Sequence, residues 1–472
     1  MSRVRKEIME TRQKKMELLG QVPVKKALLL MGLPTMVGMM INALYNLIDA
    51  FFVGGLGTNQ MAAISVTFPL TQVIVGLGLL FGNGAASYLS RLLGQNKQKM
   101  ANKVASTAIY CSLLVGILII AVTFVCLKPI LQLMGARGAV LPYAMTYASI
   151  YLLFSIFNIF NVTMNNIVSS EGAAKTTMAI LITSAVLNAA LAPVFIKVLH
   201  LGIAGAAYAT AIAQIVSSLL YLWYILRKRS VFSFSIKAFS PSKEIMSEIL
   251  KIGIPTLIFQ LLTSLSIALT NDNARLYGNS ALAAMGAVTR ILSMGSLVVF
   301  GFLKGLQPIA GFSYGAKKYE RLQSAIKISI IWSSLFCALF AVVSALFSSS
   351  IISGFTQNDW QMVQIGTQAL RVNALSFVLF GFYTTYSSLL LAMGKAKEGL
   401  FLGACRQGLC FIPVILVLPR VFGLNGVIYA QLLADILSAL ITAWLAIRLH
   451  KELREDKANQ LEELAATVGQ NL

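Results

Sequence analysis

The chain has 472 residues, 57% of them apolar and only 12% charged, with a mean hydropathy of +0.77. Soluble proteins average about 25% charged residues, so this composition excludes a soluble globular protein and predicts a polytopic helical membrane protein. The formal net charge of +21 does not point to a nucleic-acid partner, because positive charge in a membrane protein first reports the orientation of its loops.

The residues that usually carry chemistry do not indicate an enzyme. The two histidines, His200 and His450, lie at loop edges, and the chain contains no HExxH motif. The five cysteines share an apolar setting without a CxxC spacing: Cys111, Cys126, Cys337, Cys405 and Cys410. We interpret them as small buried side chains and expect no cofactor and no disulfide framework.

Apolar runs separated by short polar breaks predict twelve membrane spans, because a helix needs about 20 apolar residues to cross a bilayer. The predicted spans are 28–54, 61–90, 104–127, 140–168, 177–197, 202–226, 252–276, 281–311, 325–348, 364–393, 399–419 and 424–447. No strand pattern appears, so the predicted fold class is an all-α polytopic membrane protein. The basic first 27 residues lack the apolar core of a signal peptide, and Met1 to Leu19 is predicted as an amphipathic cytoplasmic helix.

The distribution of lysine and arginine predicts the orientation of the chain. The side that carries both termini holds 29 of these residues, the opposite side holds five, and four lie inside the spans. Cytoplasmic loops carry the excess of positive charge, so both termini are expected in the cytoplasm.

The two halves of the chain repeat each other at a constant offset in residue number. The matched pairs include Gly32 with Gly253, Pro34 with Pro255, Phe81 with Phe302, Gly84 with Gly305, and Gly94 with Gly315. Two halves of six spans share one orientation, so we predict two six-helix bundles related by a pseudo-twofold axis along the membrane normal. The predicted domains are a cytoplasmic arm 1–27, an N-terminal bundle 28–226, a cytoplasmic linker 227–251, a C-terminal bundle 252–448 and a cytoplasmic tail 449–472.

One carboxylate, Asp49, stands near the end of the first apolar run, which begins after Lys25 and Lys26. At ~1.5 Å per residue, its separation from Lys26 places it in the half of the membrane opposite the lysines. An ionised carboxylate there costs several kcal/mol unless it faces a polar cavity or a partner. The pattern favours an ion or proton site, although an Asp at a helix end in contact with headgroup water fits the same position.

Several motifs resemble those of the MATE (multidrug and toxic compound extrusion) family, in particular its MepA-like bacterial branch. They are Gly32-Leu33-Pro34, Tyr45-Asn46-Leu47-Ile48-Asp49, Ser90-Arg91-Leu92-Leu93-Gly94, Glu171-Gly172 and the run from Gln307 to Ala316. The resemblance implies a V-shaped pair of bundles in a bacterial cytoplasmic (inner) membrane. It also implies alternating access, with an amphipathic and often cationic organic substrate exchanged for H⁺ or Na⁺.

The same resemblance implies a cation or proton site in the N-terminal bundle. The family positions fall on Asp49, Tyr147, Asn165, Asn188 and Thr210. The family often has a second Asp one helical turn after Asn188, where this chain has Ala192. A lost carboxylate weakens the case for Na⁺ and leaves the coupling ion open. Each neutral member alone also fits a helix–helix hydrogen bond.

The C-terminal half places further charges within or near its spans. Lys304 precedes Lys317 along the same span, and at ~1.5 Å per residue this separation puts Lys304 near the membrane midplane. Its match in the repeat is the neutral Asn83. We expect Lys304 to pair with Asp272 or Asp435 in a charged cluster that takes part in coupling or braces the bundle. Arg290 is a second candidate partner for these acids, and Arg406 is expected to reach towards the cytoplasmic face.

The leading hypothesis is therefore a cation-coupled antiporter that exports small organic molecules, working as a monomer within membrane lipid. The alternative on the same superfamily fold is a flippase for a lipid-linked saccharide or another lipid, whose cavity would need basic residues such as Lys304. A receptor or channel is less favoured, because an even duplication is typical of alternating access.

Overall fold

The computed structural model describes the backbone of residues 2–54, 56–356 and 359–470; it describes their side chains except at 2–9, 11, 42, 45–51, 53–54, 58, 461 and 463–470. These residues form helices and no strand. The helices are α1 (Ser2–Gly20), α2 (Val24–Gly54), α3 (Thr58–Gly94), α4 (Gln98–Val125), α5 (Leu127–Leu133), α6 (Val140–Ser170), α7 (Ala174–Pro193), α8 (Gly202–Leu226), α9 (Lys243–Arg275), α10 (Asn279–Gly315), α11 (Tyr319–Leu346), α12 (Ser348–Ser353), α13 (Trp360–Ala392), α14 (Ala396–Ala404), α15 (Phe411–Phe422) and α16 (Leu424–Gln470).

Twelve of the described helical segments are long and apolar enough to cross a membrane, which confirms the predicted fold class. Two spans are interrupted by π-helical turns, Val194–Val198 after α7 and Cys405–Leu409 between α14 and α15. Pro34 and Pro255, which match in the repeat, both lie inside helices. Membrane helices tolerate such prolines because neighbouring groups satisfy the freed carbonyls.

The buried apolar side chains divide into three clusters that define how the two bundles meet. One cluster contains residues of both halves of the chain, among them Leu28, Leu93 and Leu306. A second contains only residues between Ala63 and Ala209, and a third only residues between Ala274 and Ala434. The N-bundle (α2–α8) and the C-bundle (α9–α16) therefore share a core at one end and have separate cores at the other.

The end with the shared core also carries the N-terminal helix α1, and we call it the arm face; the opposite end is the far face. Leu19 of α1 is fully buried in the shared core. Arg321 of the C-bundle donates hydrogen bonds to the carbonyls of Leu18, Leu19 and Val22. The predicted N-terminal helix thus exists and lies against the bundles rather than only on a membrane surface.

Glycines of the repeat bring the two bundles together at the arm face. A Cβ on Gly253 would collide with the carbonyl oxygen of Leu80 in α3, and one on Gly84 would collide with that of Ile249 in α9. Gly94 of α3 packs against the backbone of Phe312 in α10, and Gly315 of α10 packs against the backbone of Arg91 in α3. Small residues permit such close backbone approach between membrane helices. These matched glycines of the repeat therefore lie at the interface between the bundles.

We expect Gly253→Ala to destabilise the protein by about 1–3 kcal/mol, because the added methyl group has no room beside the carbonyl of Leu80. The midpoint of thermal unfolding in detergent would fall. Gly286→Ala in α10 is the matched control, because a Cβ there meets nothing within 4 Å and alanine is intrinsically the better helix former. Equal midpoints for the two variants would contradict tight packing at this interface.

Candidate functional site

The predicted N-bundle site is formed in part by α7 and α8. Asn188 Nδ2 donates to Thr210 Oγ1 at 3.1 Å, and the Asn188 side chain is only 1% exposed. Among the described residues nothing donates to Asn188 Oδ1, although this oxygen is buried. A buried amide oxygen without a donor costs free energy, and oxygen atoms are the ligands that hard cations prefer. Asn188 can therefore supply one ligand to a cation.

Three other positions bear on this predicted site: Asp49, Tyr147 and Ala192. The side chain of Asp49 lies outside the described residues. Tyr147 is buried on α6 and stacks on Tyr151 with 6.2 Å between the ring centroids. Ala192 is fully buried one turn after Asn188 and brings no oxygen to this region.

Asn165 belongs to a different cluster from Asn188 and Thr210. Its Oδ1 accepts a hydrogen bond from Lys304 Nζ at 2.5 Å, and its Nδ2 donates to Tyr221 OH at 3.2 Å. Asn165 lies five residues before the end of α6, whereas Asn188 lies fourteen residues after the start of α7. At ~1.5 Å per residue Asn165 is about 13 Å nearer the arm face. The residues predicted as one site thus form two clusters.

The expected C-bundle cluster does not form among the described residues. Lys304 reaches across to the N-bundle, whereas Asp435 accepts hydrogen bonds from Arg406 Nε at 2.8 Å and Gln431 Nε2 at 2.7 Å. Asp272 and Arg290 are exposed, outside this pair. The expectation for Arg406 was also wrong: instead of reaching for the membrane surface, it pairs with a carboxylate that is 3% exposed. A sequence offset cannot reveal which helix face each charge occupies.

One buried carboxylate, predicted from the sequence only as part of a turn motif, connects several segments at the arm face. Glu171 directly follows the last residue of α6 and is fully buried. Its Oε1 accepts from Lys15 Nζ at 2.9 Å and from Tyr224 OH. Its Oε2 accepts from Ser230 Oγ at 2.7 Å and Val231 N at 2.6 Å. The signal available in the sequence was a single acid in the short turn between two predicted spans.

The motif Gly311-Phe312-Ser313-Tyr314-Gly315 has the spacing of a hydrolase nucleophile. In those enzymes the serine sits on a strained strand-to-helix turn. Here Ser313 is fully buried within α10, and Gly315 packs on the backbone of Arg91. The spacing therefore reflects helix packing.

Comparisons with known proteins agree with this architecture. The MatE family model matches residues 34–194 and 233–417. Multidrug export protein MepA of Staphylococcus saprophyticus is 32% identical over 440 residues, which cover 93% of this chain and 97% of that protein. MepA of Staphylococcus aureus is 32% identical over 442 residues, with the same coverage of 93% and 97%.

Solved structures with the same fold include an outward-facing multidrug resistance MATE family transporter of the MOP superfamily. Its TM-score is 0.89 at 27% identity, covering 94% of this chain and 99% of that one. A second solved structure is a MOP superfamily transporter from Pyrococcus furiosus, with a TM-score of 0.88 at 27% identity, covering 93% of this chain and 99% of that one. It is described as having a binding pocket of reverse polarity that suggests a different function.

We expect Glu171→Gln to release α1, because Lys15 would lose its carboxylate partner. Breaking a buried ion pair by removing one member typically costs about 3–5 kcal/mol. Trypsin cleavage between Arg12 and Lys26 of the purified protein would accelerate. Glu455→Gln is the control, because its contact with Lys451 is exposed and 3.9 Å long; equal cleavage rates would show that Glu171 does not hold the arm.

Proposed function

This chain belongs to the MATE family of membrane transporters, and from that membership we propose that it exports amphipathic organic compounds, mainly cationic ones, in exchange for H⁺ or Na⁺. The observation that carries the coupling half of the proposal is the buried amide oxygen of Asn188 beside Thr210 in the N-bundle, to which no described residue donates. It supports cation binding at the place where the family resemblance puts it, with Asp49 as the carboxylate that takes up H⁺ or Na⁺.

The proposed setting is the cytoplasmic (inner) membrane of a bacterium, with a monomer surrounded by lipid and the arm face in the cytoplasm. The side that carries both termini holds 29 lysines and arginines and the opposite side holds five, and this excess supports the orientation. In that orientation the bundles share their core on the cytoplasmic side and have separate cores on the outer side. The arrangement is then the outward-facing one.

Opening towards the cytoplasm must separate the groups that now join the bundles. They include Thr35 Oγ1, which donates to the Gly301 carbonyl at 2.6 Å, and Arg91, which pairs with Glu248 at 2.9 Å. In the proposed cycle, ion binding in the N-bundle favours one arrangement of the bundles and substrate binding favours the other. A bound ion drives export only to the extent that it binds the two arrangements with different affinity.

A lipid flippase on the same fold remains the second candidate function. The observation that favours it is the positive charge of Lys304 in a cavity between the bundles. An ammonium there is suited to a phosphate or pyrophosphate headgroup and unsuited to a cationic drug.

Transport into inverted vesicles separates these functions. We expect uptake of a fluorescent cationic dye under an imposed H⁺ or Na⁺ gradient, and loss of at least about tenfold in gradient-driven rate in Asp49→Asn, because the neutral amide cannot exchange the ion. Comparing the two gradients identifies the coupling ion. Asp272→Asn, which neutralises an exposed acid on α9, is the matched control.

Unchanged gradient-driven uptake in Asp49→Asn would rule out the proposed coupling residue. No dye movement in the unaltered protein, together with accumulation of a lipid intermediate in a deletion strain, would favour the flippase.

A further inference from the structure

A small polar cavity lies between the bundles, on the pseudo-twofold axis. Its lining includes Asn83, Ser87, Ser90, Asn166, Lys304 and Gln307. Asn83 and Lys304 are matched positions of the repeat, as are Ser170 and Leu391, and all four line the cavity. Matched positions can border one cavity only where the axis that relates the two bundles passes close to it.

Lys304 breaks the symmetry of this cavity. Its ammonium crosses from α10 to α6 and donates to Asn165 Oδ1 at 2.5 Å. Tyr221, only 1% exposed, fixes the other end of the same amide. The repeat match of Asn165 is Tyr386, which bonds to His450 within its own bundle. The contact therefore joins the bundles on one side of the axis only.

The Lys304–Asn165 contact differs in kind from the glycine contacts around it. The glycines allow backbones to approach, whereas an ammonium–amide hydrogen bond is charge-assisted and therefore stronger than a neutral one. Among the described residues no carboxylate pairs with Lys304, so the amide oxygen of the other bundle is the partner on which this charge depends. That partner moves away when the bundles separate at the arm face.

We propose that Lys304 is a positioning residue of the transport cycle: its hydrogen bond to Asn165 stabilises the arrangement closed at the arm face and must break for that face to open. The inference rests on the alternating access of the proposed function. It assigns no role to Lys304 in binding the coupling ion or the substrate.

The test is hydrogen–deuterium exchange of the full-length protein in lipid nanodiscs, without substrate or ion gradient. Loss of a charge-assisted hydrogen bond present in one arrangement should change the ratio of the two arrangements by roughly tenfold or more. In Lys304→Met we expect faster exchange at the arm-face ends of α3 and α10 and slower exchange at their far-face ends. Lys304→Arg keeps the charged donor and should restore part of the closed population.

Two further variants separate a conformational role from general loosening. Lys327→Met removes an exposed lysine of α11 and should change neither face. Asn165→Ala should reproduce the effect of Lys304→Met, and the double variant should add nothing further, because both changes remove one bond. Asn165→Ala also carries the test if Lys304→Met does not fold.

Faster exchange at both faces, or no change in either variant, would overturn the proposal. Because the measurement uses no gradient and no cargo, it can fail while the dye assay succeeds. Conversely, absence of dye export would overturn the proposed function without changing the exchange result.

Discussion

The structure depends on close backbone contact between the two halves of the chain at the arm face. Gly253 faces the carbonyl of Leu80, and Gly94 and Gly315 each face the other's helix, so a side chain at any of these positions would push α3 away from α9 or α10. Lipid supplies no hydrophobic driving force between helices, so association in a membrane relies on this kind of packing. Packing of this kind is also reversible, which suits the opening of this interface in the proposed transport cycle.

Buried charged side chains differ in where their partners lie. Glu171 and Asp435, both nearly inaccessible to water, have cationic partners in Lys15 and Arg406. Lys304 instead depends on a neutral amide of the opposite bundle. A charge that has an ion-pair partner within its own bundle stabilises that bundle in every arrangement, whereas one whose partner lies across the interface favours a single arrangement.

The two polar clusters of the N-bundle suggest a division of tasks along the membrane normal. Asn188 and Thr210 lie further from the arm face and belong to the site proposed for the ion. Asn165 lies about 13 Å closer to that face, at ~1.5 Å per residue, and accepts a hydrogen bond from Lys304. In the proposed cycle, ion binding and closure of the arm face therefore involve different side chains. Helix α8 contributes a residue to each cluster, since it carries both Thr210 and Tyr221.

The sequence by itself determined the helical class, the twelve spans and the duplication, because hydrophobic length and a constant offset between matched residues are properties of the chain alone. It also identified Lys304, Asp435 and Asn165 as unusual, since polar groups at membrane depth are costly. Only the tertiary structure decided the partners: Arg406 for Asp435, and Asn165 for Lys304. Partner choice depends on how each helix is rotated and how the bundles are docked, and contacts distant in sequence fix both.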